Sequence, residues 1–190
     1  MDIIKEYTDN DWSEFSDTKN KIYYHGRTVH ATEFSYQYTG SKEAVDRYGS
    51  GFYFTNSLNA AMSYTGQHGA LLKCKINYNK VLTDKTKPNK KIIETLIKKS
   101  PVAKEVLEDF GETTRIGFIN AMNAYSDLIG GYIYQTIEND FYSNNSKMFL
   151  EIFSKFYDIY YPEENDEFPK SQIILCYRPD IIDVIDVKTF

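Results

Sequence analysis

The alternation of apolar and polar residues divides the chain into three stretches with different rhythms. In the first, short apolar runs end on glycine. Lys21-Ile22-Tyr23-Tyr24-His25-Gly26 reads as a strand running into its stop signal. A polar loop follows, with a short helix predicted around residues 42–47. Tyr48-Gly49-Ser50-Gly51 is a turn that feeds a second strand, Phe52-Tyr53-Phe54-Thr55. Asn56 and Ser57 are N-cap types before a helix predicted through Tyr64, in which Ala60 and Ala61 allow close packing. Gly66 and Gly69 bracket a turn. Ala70–Asn77 is then a strand, with Leu72, Cys74 and Ile76 alternating against lysines. Ahead of all this, residues 1–20 read as a short helix and lead-in anchored by Trp12 and Phe15.

Residues 85–160 change to a helical period. Ile92, Ile93, Leu96 and Ile97 recur at helical spacing, as do Val102, Val106 and Leu107, and so do the stretches Arg115–Leu128 and Ser146–Tyr160. Pro88 and Pro101 stand where helices start or stop. This block is expected to be four or five packed helices. The chain then returns to strands at Gln172–Tyr177 and Ile181–Val187, parted by the turn signal Arg178-Pro179-Asp180 and preceded by an acidic loop, Glu163–Glu167. Strands, then helices, then strands make an α+β class, and 190 residues are the size of one domain, 1–190.

Composition narrows the partners. The net charge of −5 gives no general pull toward nucleic acid or an anionic membrane, although it leaves nucleic acid open as a transient substrate. Seventeen tyrosines supply rings that pack like hydrophobes and keep a polar tip, an excess that an AT-rich genome also produces. Cys74 and Cys176 lack metal-ligand spacing and are expected to be core thiols in a reducing compartment. His30 and His68 have no carboxylate or thiol at ligand spacing, so no metal site is expected. The opening Met1-Asp2-Ile3-Ile4-Lys5-Glu6 has no apolar core, and no run approaches a membrane span. The expectation is a cytoplasmic protein, of the producing or a target cell, with no signal peptide and no membrane segment.

Three features of the first stretch share one logic: Tyr24-His25-Gly26 at a strand end, Gly49-Ser50-Gly51-Phe52-Tyr53-Phe54, and Tyr64 eleven residues after Tyr53. Singly, each is an ordinary structural residue or turn. Together they resemble the NAD-binding core of the His-Tyr-Glu ADP-ribosyltransferases, the superfamily of diphtheria toxin and the poly(ADP-ribose) polymerases. The resemblance implies a split, two-sheet core with a mostly helical insertion near 85–160, and NAD as co-substrate. It implies that His25 bonds a ribose hydroxyl, that the Gly26 backbone holds the nicotinamide carboxamide, and that Tyr53 and Tyr64 sandwich the nicotinamide ring.

Two departures bear on activity. Arg27 stands where the family has Ser or Thr, and it either reaches the NAD pyrophosphate or lies on the surface. The family opens a late strand with a catalytic Glu in the pattern Glu-[aromatic]-[aliphatic]-[aliphatic]-Tyr-x-Pro. Counting back from Pro179 puts Ile173 there, or Gln172 with a one-residue bulge. Gln172 is taken as the third catalytic residue beside His25 and Tyr53, with Glu167 behind it. The implied activity is transfer of one ADP-ribose to a macromolecule, protein or nucleic acid, in a toxin-like, bacterial or phage setting. The insertion is expected to shape the acceptor site or dock a protein partner. NAD glycohydrolysis and an inactive module that binds NAD, ADP-ribose or a partner are the alternatives.

Overall fold

The computed structural model describes residues 12–39, 48–163 and 171–190. The helix expected at 42–47 lies outside them. The fold is mixed α+β: a seven-stranded, mostly antiparallel sheet and six α-helices among the described residues. The strands are β1 (Ile22–Arg27), β2 (Phe52–Thr55), β3 (Ala70–Ile76), β4 (Val81–Thr83), β5 (Ile159–Tyr161), β6 (Ile173–Cys176) and β7 (Ile182–Thr189). They lie in the order β4-β5-β6-β2-β1-β3-β7. The helix α1 (Leu58–Met62) follows β2, and α2 (Lys90–Lys99), α3 (Ala103–Asp109), α4 (Thr114–Ser126), α5 (Gly130–Tyr142) and α6 (Ser146–Phe153) lie between β4 and β5.

The helices start where side chains can satisfy their first N–H groups. Ser57 accepts from Ala60, Asn89 from Lys91 and Ile92, Thr113 from Ile116, and Asn145 from Met148. The expected apolar face of α2 is buried throughout, at Ile92, Ile93, Leu96 and Ile97. The period read over Ser146–Tyr160 does not hold to its end. Helix α6 stops at Phe153, and Ile159–Tyr161 pairs parallel to β4, two strands that periodicity did not mark. The cause is Asp158. Its carboxylate accepts the N–H groups of Asn79 and Lys80 at 2.8 and 2.9 Å, and its own N–H bonds Lys80 O at 2.8 Å, drawing the chain out of the helix and onto the sheet.

One face of the sheet carries a single apolar cluster that runs from Ile159 of β5 through Ile174, Phe54, Tyr23 and Cys74 to Val187 of β7. The two cysteines are free and buried there. The opposite face is divided between two covers. Over β1 and β3, Tyr24 and Leu71 pack with Ala61 of α1 and with Trp12, whose ring stacks on Tyr24 at 5.3 Å and whose Nε1 donates to Asp186 at 2.8 Å. Over β6, β5 and β4, residues Leu175, Tyr160 and Leu82 join the core of α2–α6. No helix among the described residues is long and apolar enough to cross a membrane.

Helices α2 and α5 are tied at their C-terminal ends. Tyr142 donates its hydroxyl to Leu96 O at 2.6 Å, and Ser100 donates to Phe141 O at 2.7 Å, both buried. Each bond satisfies a carbonyl near a helix end, where intrahelical donors run out. Tyr142→Phe should therefore destabilise the fold by about 1–3 kcal/mol, since it strands a buried acceptor. Thermal unfolding checks this, and an unchanged midpoint would show that the bond contributes nothing.

Candidate functional site

The strands β1 and β2 part company near the end of β1. Their register is carried by the pair Tyr24–Thr55, whereas β1 and β3 are matched over six pairs, from Ile22–Lys75 to Arg27–Ala70. Ile76 N–H bonds Lys21 O across β1 and β3. Antiparallel alternation from that pair turns the backbone polar groups of Tyr23, His25 and Arg27 toward β3. Those of Tyr24 and Gly26 turn toward β2. Beyond Tyr24, therefore, the N–H and C=O of Gly26 are directed into the interval where β2 has diverged.

His25 bridges that interval with its side chain. Its Nδ1 lies 2.6 Å from Tyr53 O. A carbonyl only accepts, so Nδ1 carries the proton and Nε2 is left as an acceptor. The ring sits among Phe34 and Phe54, each at 5.1 Å between centroids. Burial first, and the Arg27 charge second, pull the imidazole from its ordinary 6.5 down to about 4, against the raising effect of the Tyr53 bond. At neutral pH His25 is thus an uncharged ring with a fixed tautomer and one acceptor nitrogen.

Gly26 is glycine for a packing reason. A Cβ there would stand 1.9 Å from Ala61 O and 3.1 Å from Tyr64 Cβ, so α1 lies directly on the strand. The face of Gly26 is therefore covered, and its backbone N–H and C=O are directed in the plane of the sheet, toward β2. Tyr53 lies on the same face as Tyr24 and Gly26, since Phe52 and Phe54 belong to the opposite cluster. Its hydroxyl donates to Gly49 O at 2.7 Å and accepts from Tyr48 N–H at 3.1 Å, which fixes the ring along the glycine turn. Tyr64 follows the end of α1 and is 51% exposed. His25 Nδ1 thus meets the Tyr53 carbonyl and Gly26 lies against Tyr64 Cβ, while the His25 ring packs on the Phe54 face of the sheet and the Tyr53 ring on the other.

The other expected residues stand apart from this group. Arg27 turns to its own loop: Nη1 donates to Ala31 O and Glu33 O at 2.9 and 2.8 Å, and the guanidinium covers the Phe34 ring at 4.0 Å. Its charge lies close enough to influence His25. Gln172 precedes β6, opposite Asn56, with its N–H bonded to Asn56 Oδ1 at 2.7 Å and its side chain exposed. Alternation from Tyr53–Leu175 and Thr55–Ile173 places Ile173, not Gln172, on the face that carries Tyr53. Glu167 lies outside the described residues. His30 and His68 are exposed, and the described residues hold no cluster of three or more His, Cys, Asp or Glu that could bind a metal.

Sequence reasoning missed Glu138, a buried carboxylate on α5 whose Oε2 accepts Ser50 N–H at 3.1 Å inside the glycine turn. The signal was present, since Glu138 occupies the apolar face of α5 beside Tyr134, Ile137 and Phe141. Compared with protein-family models, with curated proteins and with solved structures, the chain matches none.

The low pKa of His25 has a consequence for stability. Between about pH 6.5 and pH 4 the unfolded chain binds a proton that the folded chain refuses, so this group's contribution is fully present above pH 6.5 and is lost as the pH falls toward 4. The loss should reach roughly 2–3 kcal/mol after allowance for the partial exposure of the residue. It should shrink in His25→Asn. Unfolding measured across this range, with NMR titration of the imidazole, checks both; a ring that titrates near 6.5 in the folded protein contradicts the geometry.

Proposed function

We propose that this protein is an NAD-dependent mono-ADP-ribosyltransferase acting on a macromolecule, built on a split-sheet core of the His-Tyr-Glu type with α2–α6 as its insertion. One observation carries the reading: near the single β1–β2 pair Tyr24–Thr55, His25 bonds the Tyr53 carbonyl and Gly26 packs against Tyr64, with the Gly26 amide directed toward β2. A planar carboxamide pairs naturally with one backbone N–H and one C=O. Aromatic side chains beside them suit a nicotinamide ring, and each stack contributes about 1 kcal/mol. The Nε2 of a neutral His25 is the right partner for a ribose hydroxyl that donates.

The chemistry follows from holding NAD in this way. The bond between the ribose C1′ and the nicotinamide nitrogen breaks, and its electron pair leaves with nicotinamide, which departs neutral. The positive charge passes to an oxocarbenium-like ribose. An acceptor nucleophile then adds at C1′ and releases its proton. The protein's share is orientation and exclusion of competing water.

A second reading is favoured by Ile173. The face that carries Tyr53 has an aliphatic residue at the late-strand position, and Gln172 is turned away from it. With no carboxylate there to steady the oxocarbenium or take the acceptor's proton, the same pocket would serve as an NAD or ADP-ribose binding module. NAD glycohydrolysis lies between the two, with water as acceptor.

Nicotinamide release from NAD by the pure protein, with and without cell lysate, separates the three. Transferase activity is expected to appear as release stimulated by lysate and abolished in His25→Ala. Release indifferent to lysate marks a glycohydrolase, and NAD-dependent thermal stabilisation without release marks the binding module. Tyr64→Ala should weaken NAD binding about five- to tenfold, the loss of one stack, while Tyr64→Phe should stay within about twofold. If NAD neither binds nor is cleaved, the reading is wrong.

A further inference from the structure

Helix α5 reaches from the sheet edge at β4 to the glycine turn that precedes β2. Glu138 is at the far end of that reach, 5% exposed, with Oε2 accepting the Ser50 N–H at 3.1 Å. The turn is shaped around this carboxylate. Gly49 has φ +93°, and a Cβ at Gly49 would lie 2.9 Å from Glu138 Oε2. Gly49 O in turn accepts the Tyr53 hydroxyl at 2.7 Å. A continuous series of contacts thus runs from the helical block through Glu138, Ser50 and Gly49 to the tip of Tyr53. Tyr177, buried nearby, has its ionisation opposed first by burial and then by the charges of Glu138 and Tyr53.

Glu138 is not a substitute for the missing strand carboxylate. It bonds Ser50, two residues before the Phe52–Cys176 pair at the end of β6, whereas Ile173 begins that strand, paired with Thr55. Three residues of extended chain, roughly 10 Å, separate Cys176 from Ile173. A residue that touches the turn and not the pocket acts through Tyr53.

Resting on the NAD reading of the site, we infer that Glu138 is a positioning residue that sets the Tyr53 ring for nicotinamide, making the helical block part of the nucleotide site. The role concerns the nicotinamide end of the ligand alone. ADP-ribose lacks that end and serves as the internal control.

The test compares NAD with ADP-ribose by calorimetry, for the wild-type chain, Glu138→Ala, Glu138→Gln, Tyr53→Phe and the Glu138→Ala/Tyr53→Phe pair. Glu138→Ala should raise the Kd for NAD about tenfold, the scale of one mispositioned ring, and change that for ADP-ribose less than about twofold. Glu138→Gln keeps an acceptor for Ser50 N–H and should recover to within about threefold of wild type. Tyr53→Phe, which cuts the same series at its other end, should show the same NAD-selective loss, and the pair should be no weaker than either single variant. Equal weakening toward both ligands, additive losses in the pair, or an unchanged NAD affinity in Glu138→Ala would overturn the role while leaving the NAD site intact. A wild-type chain that binds neither ligand overturns the site reading and this role with it.

Discussion

The hydrogen bond between His25 Nδ1 and Tyr53 O gives that carbonyl a donor where β1 and β2 share only the Tyr24–Thr55 pair. Where two antiparallel strands separate, backbone groups that would have paired need other partners, because an unmet buried carbonyl costs on the order of a lost hydrogen bond. The imidazole supplies the donor beside the Tyr24–Thr55 pair, on a strand whose other edge is paired with β6 along its whole length. The same bond fixes the tautomer and holds the ring among Phe34 and Phe54, where its protonation is disfavoured. One contact therefore settles strand geometry, ring orientation and charge state together.

The residues around this bond are held from different directions. Gly26 is pressed by α1 from above, and Tyr53 is tied by its hydroxyl to the turn before β2. That turn rests on Glu138, whose helix belongs to the core formed by Leu82, Tyr160 and Leu175 with the helical block. Rigid support of this kind is what a site needs if it is to hold a flexible ligand in one conformation. Arg27 adds to it by bracing the loop that carries Phe34.

Much of this was legible in the sequence where one residue pattern had one cause. The strand at Phe52–Thr55, the Ser57 cap and the apolar face of α2 follow from local spacing, because each is set by neighbours within a turn or a pair. What escaped depends on partners distant in the chain. The strands β4 and β5 are three residues each and owe their conformation to one another and to Asp158. Gln172 and Ile173 differ by one position, and only the register with β2 decides which of them faces Tyr53. Arg27 is a surface-type residue by composition, yet its contacts with Ala31, Glu33 and Phe34 form only once the loop folds back on the strand.

The parallel pairing of β4 with β5 has a consequence for how such a chain is assembled. Val81 lies beside Ile159, so five helices leave the sheet and return to it at adjacent points. To the sheet those residues are one long loop, and the free energy of closing a loop rises only with the logarithm of its length, about 0.6 kcal/mol per doubling. An excursion of this size burdens the sheet little more than a short connection would, so long as it carries its own interior. It does, in Ile93, Leu96, Phe141, Phe149 and Phe153. The length of the connection is therefore a nearly free variable of the architecture, and its contents are constrained where the helices pack on Leu82, Tyr160 and Leu175 and where α5 comes down upon the turn before β2.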